Sequence, residues 1–282
     1  MQLRSKRNCG AHVEIAAHRG DRVGRVFKPR LRIEQVVDTA VDAEAFADVA
    51  WRGKLTFVVP HFRGCSGELN LAPRAYHSGD HEEVGWILAR LREMHQGPIV
   101  AVGVSLGGNA LLRWAGENGE SASRVASAVA AVCSPLDLAA GGHAIGRGLN
   151  RLIYTRMFLA SMKPRALARL ERHPRLFDRA QLLAARTLYD FDNLFTAPLH
   201  GFRGVEHYWS ASASGPWLEH IRVPTLLLNA RNDPFLPEKD LPGEDEIAPS
   251  VSCEFPAEGG HVGFASGKNQ PDWLAARVLC FL

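Results

Sequence analysis

From residue 42 to the C-terminus two patterns alternate. Short, unbroken apolar runs read as strands: LTFVVP (55–60), PIVAVGVS (98–105), VASAVAAVCSP (125–135), VPTLLLNA (223–230) and VSCEFPA (251–257). Between them, apolar residues recur every three or four positions, the spacing of an amphipathic helix. Residues 41–53 place Ala45, Phe46 and Val49 on one side, and residues 79–95 make a stripe of Val84, Ile87, Leu88 and Leu91. Asp80 stands where that helix begins, with Glu83 three positions on, the spacing of a capping box. LGGNALLRWAGENG (106–119) is a helix that stops on glycine, and PDWLAARVLCFL (271–282) closes the chain as another. Buried strands separated by helices predict an α/β fold, with a mostly parallel sheet covered on both faces.

Two regions depart from this rhythm. Residues 140–218 hold arginine-rich helical pieces (LNRLIYTRMFLASM, RALARLERH, RAQLLAARTLYDF) and no good strand. An insertion of that length between parallel strands is expected to form a helical cap or lid. Residues 1–41 match no element well, although LRIEQVVDTA (31–40) has the makings of a short strand or helix. The expected organisation is an atypical basic segment over 1–41, then an α/β domain over 42–282 interrupted by the cap at about 140–218.

Composition narrows the class. A chain of 282 residues with 46% apolar and 22% charged side chains is long enough for one large core. No apolar run approaches the roughly 18 residues of a membrane span. The first twenty residues lack the continuous apolar stretch of a secretory signal. Five cysteines (9, 65, 133, 253 and 280) are odd in number and form no C-x-x-C. They read as reduced thiols of a cytoplasmic protein, with Cys133, Cys253 and Cys280 filling the core. The overall charge of +3 conceals an asymmetry: residues 1–32 carry nine Lys/Arg against Glu14 and Asp21, a local +7 that leaves −4 for the rest. A basic arm of this kind attracts nucleic acid or anionic lipid. This one lacks the interleaved aromatics that stack on bases, so a solvated tail is the expectation, with no nucleic-acid partner and no stable membrane insertion.

The chemistry-bearing stretch is GVSLG. Gly103-Val104-Ser105-Leu106-Gly107 matches G-x-S-x-G with a buried strand entering and a helix leaving, and glycines at 103, 107 and 108 are expected to permit the tight turn and the close approach of the helix. That context marks a nucleophile elbow, which lifts the Ser105 hydroxyl above the sheet at a helix N-terminus. There the helix dipole and the Leu106 N–H favour a developing oxyanion. A serine hydroxyl needs a histidine to take its proton, and the histidine needs a carboxylate to hold it. On a parallel sheet those partners belong at the ends of later strands, acid before histidine. Asp233 follows the strand 223–230, and His261 follows 251–257 on a glycine turn. Lesser candidates are His61 and Arg63 after the strand 55–60, and His77 ahead of a helix; each is expected to be structural, and Arg63 and Arg231 to tie loops together. No H-E-x-x-H, paired C-x-x-C or P-loop pattern occurs, so neither a metal nor a cofactor is expected.

Six ordered motifs, HFRGCSGELN, YHSGD, GVSLGGNALLRWAGE, FTAPLHGF, VPTLLLNARNDPF and GGHVGF, resemble the AB-hydrolase-4 (YheT-like) family of α/β-fold serine esterases. The resemblance runs from about residue 42 to the C-terminus. It implies an α/β-hydrolase fold, a Ser-Asp-His triad on Ser105, Asp233 and His261, and hydrolysis of a carboxylic ester by an acyl-enzyme route. Relatives of this kind extend to acylglycerol and phospholipid substrates and to acyl transfer onto alcohols. The family pattern also implies an H-G-L-x-G loop ahead of residue 42 that donates a second oxyanion N–H. Residues 1–41 contain no H-G pair, and the expectation is that they are not native family sequence. The rival readings are an acylglycerol lipase or alcohol acyltransferase with the same triad, an α/β-hydrolase scaffold whose catalysis is impaired, and a nucleic-acid- or membrane-associated protein acting through the basic arm.

Overall fold

The computed structural model describes residues 12–16, 39–66, 69–264 and 273–282. Most of the basic N-terminal segment thus lies outside the described residues. Within it, His12–Ala16 forms a strand, β1, that the sequence reading missed. A helix, α1 (Thr39–Arg52), leads to β2 (Phe57–His61), and β1 pairs with β2 antiparallel, His12 opposite His61 and Ala16 opposite Phe57. HVEIA alternates apolar and polar residues but is too short to stand out in a basic stretch.

The second sheet is the scaffold. After α2 (His81–Met94), β3 (Val100–Val104), α3 (Leu106–Asn118), β4 (Ala128–Val132), β5 (Thr225–Leu228) and β6 (Val251–Glu254) pair in the order β3-β4-β5-β6, all parallel. Each parallel pair is joined by a long crossover, through α3 between β3 and β4 and through two short 3-10 turns between β5 and β6. Only β4 and β5 are buried along their whole length. Among the described residues β3 is the border strand, and Val100 and Val102 remain over a third exposed.

Alternation along these strands feeds two cores. Val129, Ala131 and Leu227 point to one face and pack with Val84 and Leu88 of α2 and Leu111, Leu112 and Trp114 of α3. Ala130, Val132, Leu226 and Leu228 point to the other, against Phe46 of α1 and Leu274 and Val278 of α11 (Trp273–Phe281). Because both faces of these strands are covered, consecutive residues are apolar, and the strands read as unbroken apolar runs.

Between β4 and β5 the chain is helical. α4 (Leu138–Ile145) is capped by Asp137, whose carboxylate accepts from the Ala139 and Ala140 N–H groups. α5 (Gly148–Asn150) passes through a π-helical turn, Arg151–Thr155, into α6 (Arg156–Arg172). Then follow α7 (Arg179–Ala184), α8 (Leu188–Phe191), α9 (Ala197–Leu199), α10 (Val205–Ser212) and a 3-10 turn, Gly215–His220. Phe191, Phe195, Leu182 and Leu159 give this region a core of its own.

Two local expectations are corrected. Asp80 precedes α2 but makes no side-chain cap: its buried carboxylate pairs with Arg74 at 2.6 Å, and Glu83 instead receives the Arg63 backbone N–H and guanidinium. A charged partner outcompetes a neutral N–H for each carboxylate. Cys280 is exposed on α11, whereas Cys133 is fully buried and Cys253 partly so.

Candidate active site

All four strands of the parallel sheet end on the same edge, and each delivers a residue there. Ser105 follows β3 directly, Cys133 follows β4, Asp233 lies five residues past β5, and His261 seven past β6. Carboxyl ends of parallel strands are where open α/β sheets place ligands.

The turn at Ser105 is tight. Its backbone sits at φ 51°, ψ −121°, and its N–H is held by the Val132 carbonyl at 2.7 Å. A non-glycine residue at positive φ is costly and is kept only where its surroundings enforce it. Two glycines do so here. A Cβ on Gly103 would come within 2.6 Å of the Gly107 carbonyl oxygen, and one on Gly108 within 1.9 Å of Ser134 Oγ. Gly107 differs, since a Cβ there meets nothing within 4 Å. The motif's last glycine is therefore not demanded by packing.

Ser105 Oγ lies 2.9 Å from His261 Nε2, and His261 Nδ1 lies 2.8 Å from Asp233 Oδ2. The Asp233 side chain is fully enclosed, while that of His261 is 18% exposed, enough to face a substrate. The second Asp233 oxygen accepts the Phe235 N–H at 2.8 Å, so both carboxylate oxygens are occupied. The Phe235 ring packs 4.4 Å from the imidazole. A carboxylate held in this way fixes the imidazole tautomer with its free nitrogen toward the serine. The Leu106 N–H belongs to the first residue of α3, where a helix N–H has no intrahelical partner.

Three asparagines hold this constellation, and the sequence reading singled out none of them. Asn232 Oδ1 accepts the N–H groups of both Gly259 and Gly260, tying the loop of Asp233 to the loop of His261. Asn229 exchanges two hydrogen bonds with the Ser134 backbone, each 3.0 Å, joining the ends of β4 and β5. Asn109, in the first turns of α3, donates to the carbonyls of Ser78 and Ser212 and accepts the Ser214 N–H. Their partners lie 27 to 105 positions away in sequence, and no local pattern signals them.

Cys133 is also more than core filler. It sits at φ 47° with its Sγ accepting the Val262 N–H at 3.3 Å and facing the Gly260 carbonyl at 3.8 Å. Its sulfur, an Asp233 oxygen and a His261 nitrogen lie within 4.8 Å of one another. Burial, reinforced by the Asp233 charge, pushes the thiol up to about 12, so it stays protonated beside the carboxylate.

The lesser candidates have structural partners. Arg63 is bound to Glu83, and Arg231 donates to the Phe255 carbonyl and pairs with Glu238 at 2.7 Å. His77 is buried against His200, Phe202 and Tyr208 of the helical insertion, and burial drives its imidazole down to about 3. His61 ends β2.

The family model for the α/β-hydrolase fold matches residues 45–268. The chain belongs to the α/β-hydrolase fold family. This α/β hydrolase is 34% identical over 259 residues to the Escherichia coli (strain K12) protein named "Putative esterase YheT", covering 89% of this chain and 75% of that one. It is 30% identical over 216 residues to Phospholipase ABHD3 of Mus musculus, and 26% identical over 237 residues to Monoacylglycerol lipase of Saccharomyces cerevisiae. Those two alignments cover 74% and 78% of this chain but about half of each relative, 51% and 50%. Among solved structures, an α/β fold family hydrolase from Bacillus anthracis str. Sterne superposes with a TM-score of 0.51 at 16% identity, covering 86% of each chain. That likeness concerns the fold. Among the described residues, no helix is long and apolar enough to cross a membrane.

Proposed function

We propose that this α/β hydrolase is a serine esterase that cleaves carboxylic esters through an acyl-enzyme. Ser105 Oγ attacks the ester carbonyl carbon while His261 Nε2 takes its proton. The carbonyl π electrons move onto oxygen, and the Leu106 N–H donates to the oxyanion. Collapse of the tetrahedral intermediate expels the alkoxide, which takes the proton from His261. Water then attacks the acyl-Ser105 carbonyl with His261 again as base, releasing the acid and restoring the serine. Asp233 keeps the imidazole oriented and stabilises its cationic form.

The observation that carries this reading is the unbroken chain of hydrogen bonds from Ser105 through His261 to Asp233, at 2.9 and 2.8 Å. The names of the mouse and yeast relatives support an ester of the glycerolipid class over a general esterase substrate. Free thiols at Cys65, Cys133, Cys253 and Cys280 support the cytoplasm as its compartment. The test is fluorophosphonate labelling beside p-nitrophenyl butyrate turnover, for wild type and Ser105→Ala. Labelling and turnover confined to the wild type sustain the proposal. A folded, monodisperse wild type that does neither overturns it in favour of an impaired scaffold.

A further inference from the structure

The helical run that starts at Gly148 has an outer face without a partner among the described residues. Leu149, Leu152 and Ile153 are 74%, 54% and 57% exposed, and they fall within a single turn around the π-helical segment. Arg147, Arg151 and Arg156 lie on the same run, all exposed, and none forms an ion pair among the described residues. Along this stretch of chain the charge has one sign: residues 138–170 contain Arg147, Arg151, Arg156, Lys163, Arg165 and Arg169 and no acidic residue.

The inner face of the same run is fixed beside the candidate site. Asn150 Nδ2 donates to the Pro234 carbonyl at 2.7 Å, next to Asp233. The Tyr154 ring meets Phe235 edge-on at 4.6 Å, and Phe235 in turn packs against His261. Thr155 Oγ1 donates to the Ile145 carbonyl at 2.8 Å, anchoring the turn to α4. The run is therefore held against Phe235, the ring that packs on His261.

We propose that this face docks on an anionic lipid surface, with Leu149, Leu152 and Ile153 entering the interface and Arg147, Arg151 and Arg156 meeting the headgroups. Three neighbouring apolar side chains beside Arg147, Arg151 and Arg156, which form no ion pair among the described residues, are the pattern of an interfacial helix. A neutral protein partner would satisfy the leucines and leave the arginines unanswered, whereas an anionic bilayer answers both. The inference does not depend on the ester chemistry proposed above.

The experiment is flotation of the full chain with vesicles of phosphatidylcholine alone or with 30% phosphatidylglycerol, at low and high salt. Wild type is compared with Leu149→Ser/Leu152→Ser/Ile153→Ser and with Arg147→Gln/Arg151→Gln/Arg156→Gln. Wild type is expected to float with the anionic vesicles and to be released as salt rises. The arginine variant is expected to bind on the order of 100-fold more weakly. The serine variant is expected to lose binding by 10-fold or more, with both variants melting as wild type does. p-Nitrophenyl butyrate turnover without vesicles is expected to be equal in all three, which separates failure of docking from failure of the esterase reading. Wild type that ignores anionic vesicles, or variants that float as well as wild type, overturns the proposal. So does a wild-type dimer that the serine substitutions convert to monomer, which would assign the face to a second copy.

Discussion

Asn109→Ala is the substitution from which the structure predicts most. Asn109 is fully buried and makes three hydrogen bonds, to Ser78 O at 2.8 Å, Ser212 O at 2.9 Å and from Ser214 N at 2.9 Å. Ser212 and Ser214 are themselves fully buried, so water cannot replace the lost amide. Each buried group left without a partner costs about 1–3 kcal/mol, so three orphaned groups together cost about 3–9 kcal/mol. That is a large share of the roughly 5–15 kcal/mol that a domain has in total. Unfolding entropy near 2.1 cal/mol/K per residue, over 282 residues, gives about 0.6 kcal/mol per degree. The expected loss in Tm is therefore about 5–15 °C, read by calorimetry or circular dichroism. The control is Asn118→Ala: an exposed residue of the same helix with one bond, to the Trp114 carbonyl, expected to cost under about 1 kcal/mol. An Asn109→Ala protein melting within about 2 °C of wild type would refute the assignment of Asn109 as the joint between α3, the loop at Ser78 and the end of α10.

Three further outcomes follow from the same geometry. Cys133→Ala orphans the buried Val262 N–H next to His261, so kcat is expected to fall about 10-fold with KM little changed, and Cys133→Ser to recover most of it; equal rates for the two variants would remove Cys133 as a positioning residue. Gly103→Ala and Gly108→Ala are expected to disrupt the elbow and abolish fluorophosphonate labelling, while Gly107→Ala folds and raises Tm, because alanine favours a helix by up to about 1 kcal/mol. Burial pushes the Asp192 carboxyl up to about 6, against the bonds it accepts from Thr196 and Trp209. The unfolded chain releases that proton near 3.8, so the stabilisation is full below about pH 4 and is lost as pH rises through 6, a change on the order of 3 kcal/mol. Asp192→Asn lacks this loss, so the Tm of wild type relative to the variant is expected to drop by about 3 °C between pH 4.5 and 7. The comparison must be a difference, because buried His77 acts with the opposite sign, destabilising the fold as pH falls below 6.5.

Much of this molecule was legible in its sequence because the relevant signals are local. The unbroken apolar runs gave β2 to β6 within a few residues, and the strand-glycine-helix transition at Ser105 fixed the elbow. Asp233 and His261 could be chosen from 30 acidic residues and twelve histidines because each follows a recognisable strand on a parallel sheet. What escaped is non-local. Asn109, Asn229 and Asn232 act on partners far along the chain, and an asparagine in isolation reads as a turn residue. Cys133 read as filler because its apolar neighbours in β4 outweigh a single sulfur, whose role exists only once the His261 loop folds over it. Asp80 had the spacing of a cap, but Arg74, six residues before it, offered a charge.

Asn232 has a consequence for timing. By holding Gly259 and Gly260 from the loop of Asp233, it couples the acid and the base into one mechanical unit, while Ser105 rides on a separate strand-helix corner. Both units are also tied to the end of β4, Ser105 through the Val132 carbonyl and the His261 loop through Cys133, yet among the described residues only the loops of the acid and the base share a direct link. The expectation is that thermal excursions open the contact between Ser105 and His261 more readily than the one between His261 and Asp233. In such an open interval the imidazole keeps its orientation and its counter-charge and lacks only its nucleophile. Recovery then requires one hydrogen bond to re-form, with no search through ring flips or tautomers, so the site idles close to readiness.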